Sequence, residues 1–257
     1  MKRIVVIGSG NLAEALAQAV ARTPQLRLVQ LYARNPQRGG EVARLAATEW
    51  CGDPAHLAEA DLYLIAVSDR AVGEVAASLL FPPAAVVAHT AGCVPLDALP
   101  ARIARRGVFY PLQTFTRGRA VDFSAIPLFI EAGDDETAAE LEAVARLLSR
   151  RVLGADSALR ERIHLAGVFV SNFANHMFAL GERTMERAGL PVDLLRPLMA
   201  ETAAKALDAP AAADVQTGPA VRGDLQTQQR HLELLDDELQ TLYTTISESI
   251  WQTSRKR

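Results

Sequence analysis

The sequence has few cysteines. Cys51 and Cys93 are the only two, too few for a disulfide framework or a metal cluster. It also lacks an excess of charge of either sign: 27 Lys and Arg stand against 30 Asp and Glu, for a net charge of −3. With an isoelectric point near 6.0, the electrostatic footprint of a nucleic-acid binder is missing. Long apolar runs are absent as well. Ile4-Val5-Val6-Ile7 follows Met1-Lys2-Arg3 but stops at Gly8, too short for the core of a signal peptide, and no apolar stretch reaches the ~18 residues of a membrane span. These absences predict a soluble, cytoplasmic protein. Lysine is scarce too: Lys2, Lys205 and Lys256 are the only ones, so Lys205 alone lies away from the termini. Hydrophobic residues make up 49% of the 257, enough for one large domain or two modest ones at roughly 100–200 residues each.

The first half alternates short apolar runs with helical stretches. Ile4–Ile7, Leu28–Tyr32, Leu62–Val67 and Ala85–His89 read as strands, with Leu12–Arg22, Gln37–Ala47 and Ala71–Leu80 as helices between them. Strands alternating with helices, without hairpin turns, predict parallel strands joined by crossovers. Val108–Tyr110, Pro127–Glu131 and Arg151–Leu153 read as further strands, and Glu136–Ser149 as a helix. From about Asp156 the strand signal disappears. Leu159–Leu180, Val192–Leu207 and Asp224–Gln252 are long helical patterns, Ala209–Gly223 is irregular, and Ser254–Arg257 is a short basic tail expected to fray. The expected division is an α/β domain over residues 1–155 and an all-helical one over 156–257.

Gly8-Ser9-Gly10-Asn11-Leu12-Ala13 lies between the first strand and the first helix and fits the G-x-G-x-x-G/A dinucleotide fingerprint. Gly8 suits the tight turn, Gly10 a close backbone approach to pyrophosphate, and Ala13 close packing of helix on sheet. The helix N-terminus adds free N–H groups and the positive end of its dipole. The acid that usually holds an adenosine ribose would fall at the end of the second strand. There the chain reads Tyr32-Ala33-Arg34-Asn35-Pro36-Gln37-Arg38. A carboxylate would repel a 2′-phosphate, whereas a guanidinium holds one by charge-assisted hydrogen bonds. Arg34, helped by Arg38 and flanked by Asn35, therefore favours NADP over NAD, the bland alternative being two solvated arginines. Val67-Ser68 and His89-Thr90 end later strands, where small polar residues can line the cofactor's ribose and nicotinamide. His89 is a candidate acid or orienting group, or simply a histidine bonded to the backbone.

On the helix after residue 156, an advance of about 100° per residue brings Ser171, Asn172 and Asn175 within roughly 80° of His164. Phe169, Val170, Phe173 and Met177 take the opposite arc. A face of small polar groups with a histidine suits a cleft floor, or a polar helix–helix or subunit contact; His176 lies off this face.

At this point the sequence resembles a family. Gly8–Ala13, His89-Thr90-Ala91-Gly92, Tyr110-Pro111-Leu112-Gln113-Thr114-Phe115, His164–Phe169, Asn172–His176 and Gln216–Asp224 occur in order. Together they are similar to bacterial proteins proposed as NADP oxidoreductases, which join a Rossmann-like domain to a C-terminal helical domain of unknown function. More distantly the layout resembles pyrroline-carboxylate and ketopantoate reductases and the 6-phosphogluconate and hydroxyisobutyrate dehydrogenases. The resemblance implies a doubly wound, mostly parallel sheet followed by a helical domain of the 6-phosphogluconate-dehydrogenase type. It also implies hydride transfer between the domains and dimerisation through the helical one.

One departure stands out. The 6-phosphogluconate and hydroxyisobutyrate branch places a lysine four residues before an asparagine, where this chain has Val168 before Asn172. His164 is the replacement candidate, its ordinary pKa of about 6.5 suiting proton donation near neutral pH. Lys205 is the other, although its spacing from Glu201 also fits a helix-surface ion pair. Gln113, Thr114 and Arg222 are candidates for holding a substrate carboxylate, with Ser171 beside them, and Asp224 is a candidate helix cap. The reading is an NADPH-dependent reductase of a small polar carbonyl or imine, with ketopantoate suggested by resemblance. No metal, nucleic acid or membrane is expected. The rival is a non-catalytic NADP-binding sensor or regulatory protein.

Overall fold

The computed structural model describes residues 1–256; Arg257, the end of the basic tail, lies outside the described residues. The chain divides into two compact units, Met1–Ala174 and Asn175–Arg257.

In the first unit, β1 (Lys2–Ile7) leads through α1 (Asn11–Arg22) to β2 (Leu26–Tyr32), then through α2 (Pro36–Leu45) to β3 (Trp50–Cys51). The chain returns as β4 (Leu62–Ile65), α3 (Val72–Ser78) and β5 (Val86–His89), followed by β6 (Arg105–Pro111), β7 (Leu128–Ala132), α4 (Asp135–Leu148) and β8 (Val152–Gly154). The eight strands form one sheet in the order β3-β2-β1-β4-β5-β6-β7-β8. Residues alternate between its faces. Ile4 and Val6 join Leu16, Leu64, Phe109 and Leu141 on one side, while Val5 and Ile7 join Tyr63, Ile65 and Val87 on the other. Both faces are covered, so the strands read as unbroken apolar runs. The chain reverses its winding between β1 and β4, which are paired in parallel, and a ligand crevice lies outside the carboxyl ends of strands at such a switch.

The sheet is mostly parallel, as expected, and two strand features go beyond the sequence reading. β7 runs antiparallel to β6, from Gly107 opposite Ala132 to Pro111 opposite Leu128. The link between them has only the short turn Phe123–Ala125 and no crossover helix to carry the chain back to the starting end. The two-residue β3 was also not anticipated; beside it, Trp50 Nε1 donates to the Ala33 carbonyl at 2.9 Å.

α5 (Ser157–Gly167), a π-helical turn at Val168–Phe173 and α6 (Ala174–Arg187) form one continuous helix. Asp156 caps its start by accepting from Leu159 N at 2.8 Å. By length and composition only, Ser157–Arg187 is long and apolar enough to cross a membrane, contrary to the expectation from uninterrupted runs. Polar residues such as His164, Ser171 and Asn172 divide its apolar stretches, and only an average along the helix reveals them.

The second unit contains α7 (Arg196–Asp208), α8 (Pro219–Arg222), α9 (Leu225–Leu232) and α10 (Asp237–Arg255). The helix expected over 224–252 is thus two. Asp224 caps α9 by accepting from Thr227 N at 3.0 Å, and Asp236 caps α10 by accepting from Leu239 N at 3.1 Å. The tail expected to fray is helical through Arg255, whose guanidinium lies 5.4 Å from the Trp251 ring centre.

Candidate functional site

A cavity of about 480 Å³ opens over the carboxyl ends of β1, β2 and β4. It gathers Gly8, Ser9, Gly10, Asn11 and Leu12 with Arg34, Asn35, Val67 and Ser68, nine of the residues singled out for the cofactor. Gly8 has a φ of +132°, and a Cβ there would fall 2.2 Å from the Ala66 carbonyl oxygen. The turn therefore admits no side chain at that position. Gly10 faces open space, with nothing within 4 Å of where its Cβ would stand. It precedes α1 without a side-chain cap, leaving N–H groups at the helix start for an anion. Glu14, in the first turn, is directed away: its carboxylate accepts from Gly118 N at 3.0 Å and pairs with Arg38. An uncapped helix start, open space above Gly10 and a cation at the end of β2 fit a phosphorylated dinucleotide.

The residues after β2 divide their roles. Arg34 keeps 71% of its side chain exposed and meets Glu74 of α3 at 3.5 Å. Asn35 caps α2, its side chain accepting from Arg38 N at 3.0 Å. Arg38 is committed to the protein: it pairs with Glu14 and Glu41 and donates through Nε to the Ser9 carbonyl at 3.2 Å. It braces the glycine turn from behind, and Arg34 is the cation that lines the cavity. Thr90 is buried, its hydroxyl donating to the Ile65 carbonyl at 3.2 Å.

A second cavity of about 520 Å³ shares Asn11 and Leu12 with the first. Its wall brings His164, Ser171 and Asn172 from the long helix together with Gln113 and Thr114 from the loop after β6. That loop is tied to the glycine turn, since Asn11 Nδ2 donates to the Phe115 carbonyl at 3.0 Å. Tyr110, at the end of β6, also lines the cavity, its hydroxyl 3.2 Å from His164 Nδ1. Burial pushes the Tyr110 phenol up to about 12, so it stays protonated. Gly92, after β5, closes on the same pair: a Cβ there would stand 2.5 Å from His164 Nδ1 and 3.0 Å from Tyr110 Cζ.

The other candidates lie elsewhere. His89 is fully buried at the end of β5, its Nδ1 accepting from Ala91 N at 3.2 Å and its Nε2 without a hydrogen-bond partner among the described residues. Burial, with the nearby Arg160 charge, pushes it down to about 4, the Pro95 carbonyl acting the other way. His89 is thus a neutral core residue beneath the site. Asn175, Lys205 and Arg222 belong to the second unit, on α6, α7 and α8.

Sequence reasoning also missed a buried brace. Arg160, 1% exposed and one turn before His164, pairs with Glu131 of β7 and donates to the Val94 carbonyl at 2.5 Å. Ser157 Oγ donates to Glu131 and accepts from Leu96 N at 3.2 Å. These bonds clamp the loop after Gly92 to the start of α5. An arginine among helix-forming residues gave no sign of this, and neither Tyr110 nor Glu74 is adjacent in sequence to its partner.

Residues 3–92 match the family described as NADP oxidoreductase, coenzyme F420-dependent, and residues 126–250 match a domain of unknown function, DUF2520. No curated protein matches the chain. Among solved structures, a protein from Bacteroides fragilis proposed as an NADP oxidoreductase is 41% identical, with 98% of each chain covered and a TM-score of 0.91. A protein from Thermotoga maritima is 19% identical over 98% of each chain, with a TM-score of 0.73. A 1-pyrroline-5-carboxylate reductase from Streptococcus pyogenes is 12% identical over 100% of this chain and 99% of its own, at 0.66; these last two share the fold. With a nucleotide turn in its first unit and 41% identity to the Bacteroides protein over nearly its whole length, the chain belongs to this family of NADP oxidoreductases.

Proposed function

We propose that the protein uses NADPH to reduce a small polar carbonyl or imine, a 2-oxo acid such as ketopantoate or a cyclic imine. The observation that carries this reading is the junction of the two cavities at Asn11 and Leu12. One has the features of a dinucleotide site, and the other groups a histidine with amides and hydroxyls. The S. pyogenes neighbour, a pyrroline-carboxylate reductase by name, supports the substrate class.

In this reading Gly8–Leu12 hold the pyrophosphate through backbone N–H groups, and Arg34 holds the 2′-phosphate. Val67 and Ser68 line the path between the glycine turn and the strand ends. The bound cofactor supplies the hydride. His164 gives a proton to the substrate's oxygen or nitrogen, a task within reach of an imidazole near neutral pH. Asn172, Ser171, Gln113 and Thr114 orient the polar substrate. Asn175, Lys205 and Arg222, in the second unit, are further candidates for substrate contact. Leu165, Phe169, Val170 and Phe173 are 50–79% exposed along the long helix, and we read this apolar face as the contact with a second copy.

The test is NADPH consumption by the purified protein against a panel of 2-oxo acids and cyclic imines, ketopantoate included, with NADH in parallel. Turnover of one member, faster with NADPH and lost in His164→Ala with cofactor affinity retained, is the expected result. A protein that binds NADPH and turns over no member of the panel would count against the reaction and favour a binding role.

A further inference from the structure

Three elements converge on one side of the His164 ring. From β6 comes Tyr110, 7% exposed and packed on Phe129 with ring centres 6.3 Å apart. β6 is hydrogen-bonded to β5 on one side and β7 on the other, so the phenol hangs from a backbone that has little freedom. From α5 comes His164 itself, one turn after the clamped Arg160. From the turn after β5 comes Gly92, which approaches so closely that a methyl group would reach within 2.5 Å of Nδ1. The Tyr110 and His164 rings are 6.2 Å apart and inclined at 53°, so they meet through the hydroxyl and not by stacking. Nδ1 is thus enclosed and bonded to the phenol. Among the described residues Nε2 has no hydrogen-bonding partner, and His164 lines the second cavity.

We propose that Tyr110 is a positioning residue whose hydroxyl holds Nδ1 of His164, leaving Nε2 as the nitrogen that exchanges the proton with the substrate. This rests on the reading of His164 as the proton donor. In the imidazolium both nitrogens carry hydrogen, and Nδ1–H donates to the phenolic oxygen. Transfer of the Nε2 proton breaks one N–H bond and forms an O–H or N–H bond on the substrate, matching the hydride gained at carbon. The neutral imidazole that remains keeps its Nδ1–H on Tyr110, and water returns a proton to Nε2. The phenol stays neutral throughout, so it fixes orientation and tautomer without adding a negative charge that would hold the proton back. The arrangement also accounts for the absence of a lysine at Val168, because the donor is built from one turn earlier on the helix and a neighbouring strand.

Tyr110→Phe keeps the ring and its packing on Phe129 and removes only the hydroxyl. Two readouts follow. The first needs no substrate: nitrogen NMR of protein labelled at histidine, at alkaline pH where imidazoles are neutral, with the His164 signals identified by their loss in His164→Ala. The Nδ1–H tautomer is expected in the unaltered protein, where a fixed Nε2–H tautomer would overturn the proposal, and a mixture is expected in Tyr110→Phe. A mixture in the unaltered protein, or the same single tautomer in both, would overturn the proposal. The second is turnover of the fastest panel substrate, where Tyr110→Phe should lower kcat about 10- to 100-fold and leave the KM for NADPH unchanged. If His164→Ala is inactive while Tyr110→Phe keeps the full kcat, the positioning role is refuted and the donor role stands. If His164→Ala is fully active, the donor role fails whatever Tyr110→Phe does.

Discussion

Glu131→Gln removes one negative charge at the edge of the first unit's core and leaves the Arg160 guanidinium without its counter-ion. Arg160 is 1% exposed and Glu131 16%, so water reaches the acid slightly and the base hardly at all. A buried charge deprived of its partner destabilises a protein by about 3–5 kcal/mol. At roughly 2–4 °C per kcal/mol for a chain of this size, the thermal midpoint should fall by about 6–20 °C. Replacing both residues by apolar ones, Glu131→Leu with Arg160→Met, removes the stranded charge together with its partner. Such exchanges are commonly neutral or stabilising, so the double variant should recover most of the loss although the bond to Val94 is gone. Circular dichroism melts near neutral pH at low and high salt measure this, and a buried pair should respond weakly to salt. A Glu131→Gln midpoint within about 2 °C of the parent, or a double variant no better than the single one, would refute the assignment of a desolvated pair.

Four further outcomes are expected. Gly92→Ala forces the His164 ring to retreat by about 1 Å, a displacement that lowers kcat roughly 100-fold when the group takes part in the chemistry; NADPH affinity measured by fluorescence titration should be unchanged, and a full-rate variant would show that the ring's position does not matter. Arg34→Ala should weaken NADPH about 10- to 100-fold, the range for hydrogen bonds to a charged group, with little effect on NADH. Glu74→Gln, which frees Arg34 from an exposed pair of small energy, should strengthen NADPH by no more than about fivefold, and equal affinities for the two cofactors in all variants would contradict the role of Arg34. His89 gives a pH dependence. Burial lowers its folded value to about 4, below the roughly 6.5 of an unfolded histidine. The unfolded chain therefore takes up the proton first, and stability present above pH 6.5 should be lost as pH falls towards 4, by roughly 3 kcal/mol. Denaturant titrations over that interval should show a shallower slope for His89→Phe, and an unchanged slope would mean that His89 is not held neutral.

The contrast between the two cavities shows what a sequence discloses. The glycine turn was legible because its parts are contiguous: strand, turn and helix follow one another from Lys2 to Arg22, and each glycine answers a local backbone demand. The place of Arg34 on the cavity wall was legible for a related reason, since the end of the second strand lies at the mouth of the crevice in such sheets. Arg38 was read as a helper to Arg34, but it pairs with Glu14 of α1 and with Glu41 one turn along its own helix, and only packing revealed that this guanidinium is committed. On the long helix the uniform 100° rotation assumed for the polar face does not hold through Val168–Phe173, where the π-helical turn changes the pitch. His164, Gly167, Val168, Ser171 and Asn172 line the cavity from one arc, as a regular wheel places them, but Ala166 and Val170, on the wheel's far side, line it too.

The alternation of strand and helix, the dinucleotide turn, the arginine at the end of the second strand and the change to an all-helical second half are thus written in the sequence alone. These depend on hydrophobic period, backbone sterics and charge, which act over a few neighbouring residues. Tertiary structure decided that β7 runs back along β6, that Glu74 faces Arg34, that Arg160 is buried against Glu131, and that Tyr110 and Gly92 enclose His164 Nδ1. Tyr110 and His164 are 54 positions apart, and no local rule links them. They meet because β6 and α5 bring both side chains to the carboxyl edge of the same sheet, and the energy of that meeting exists only once the fold has formed.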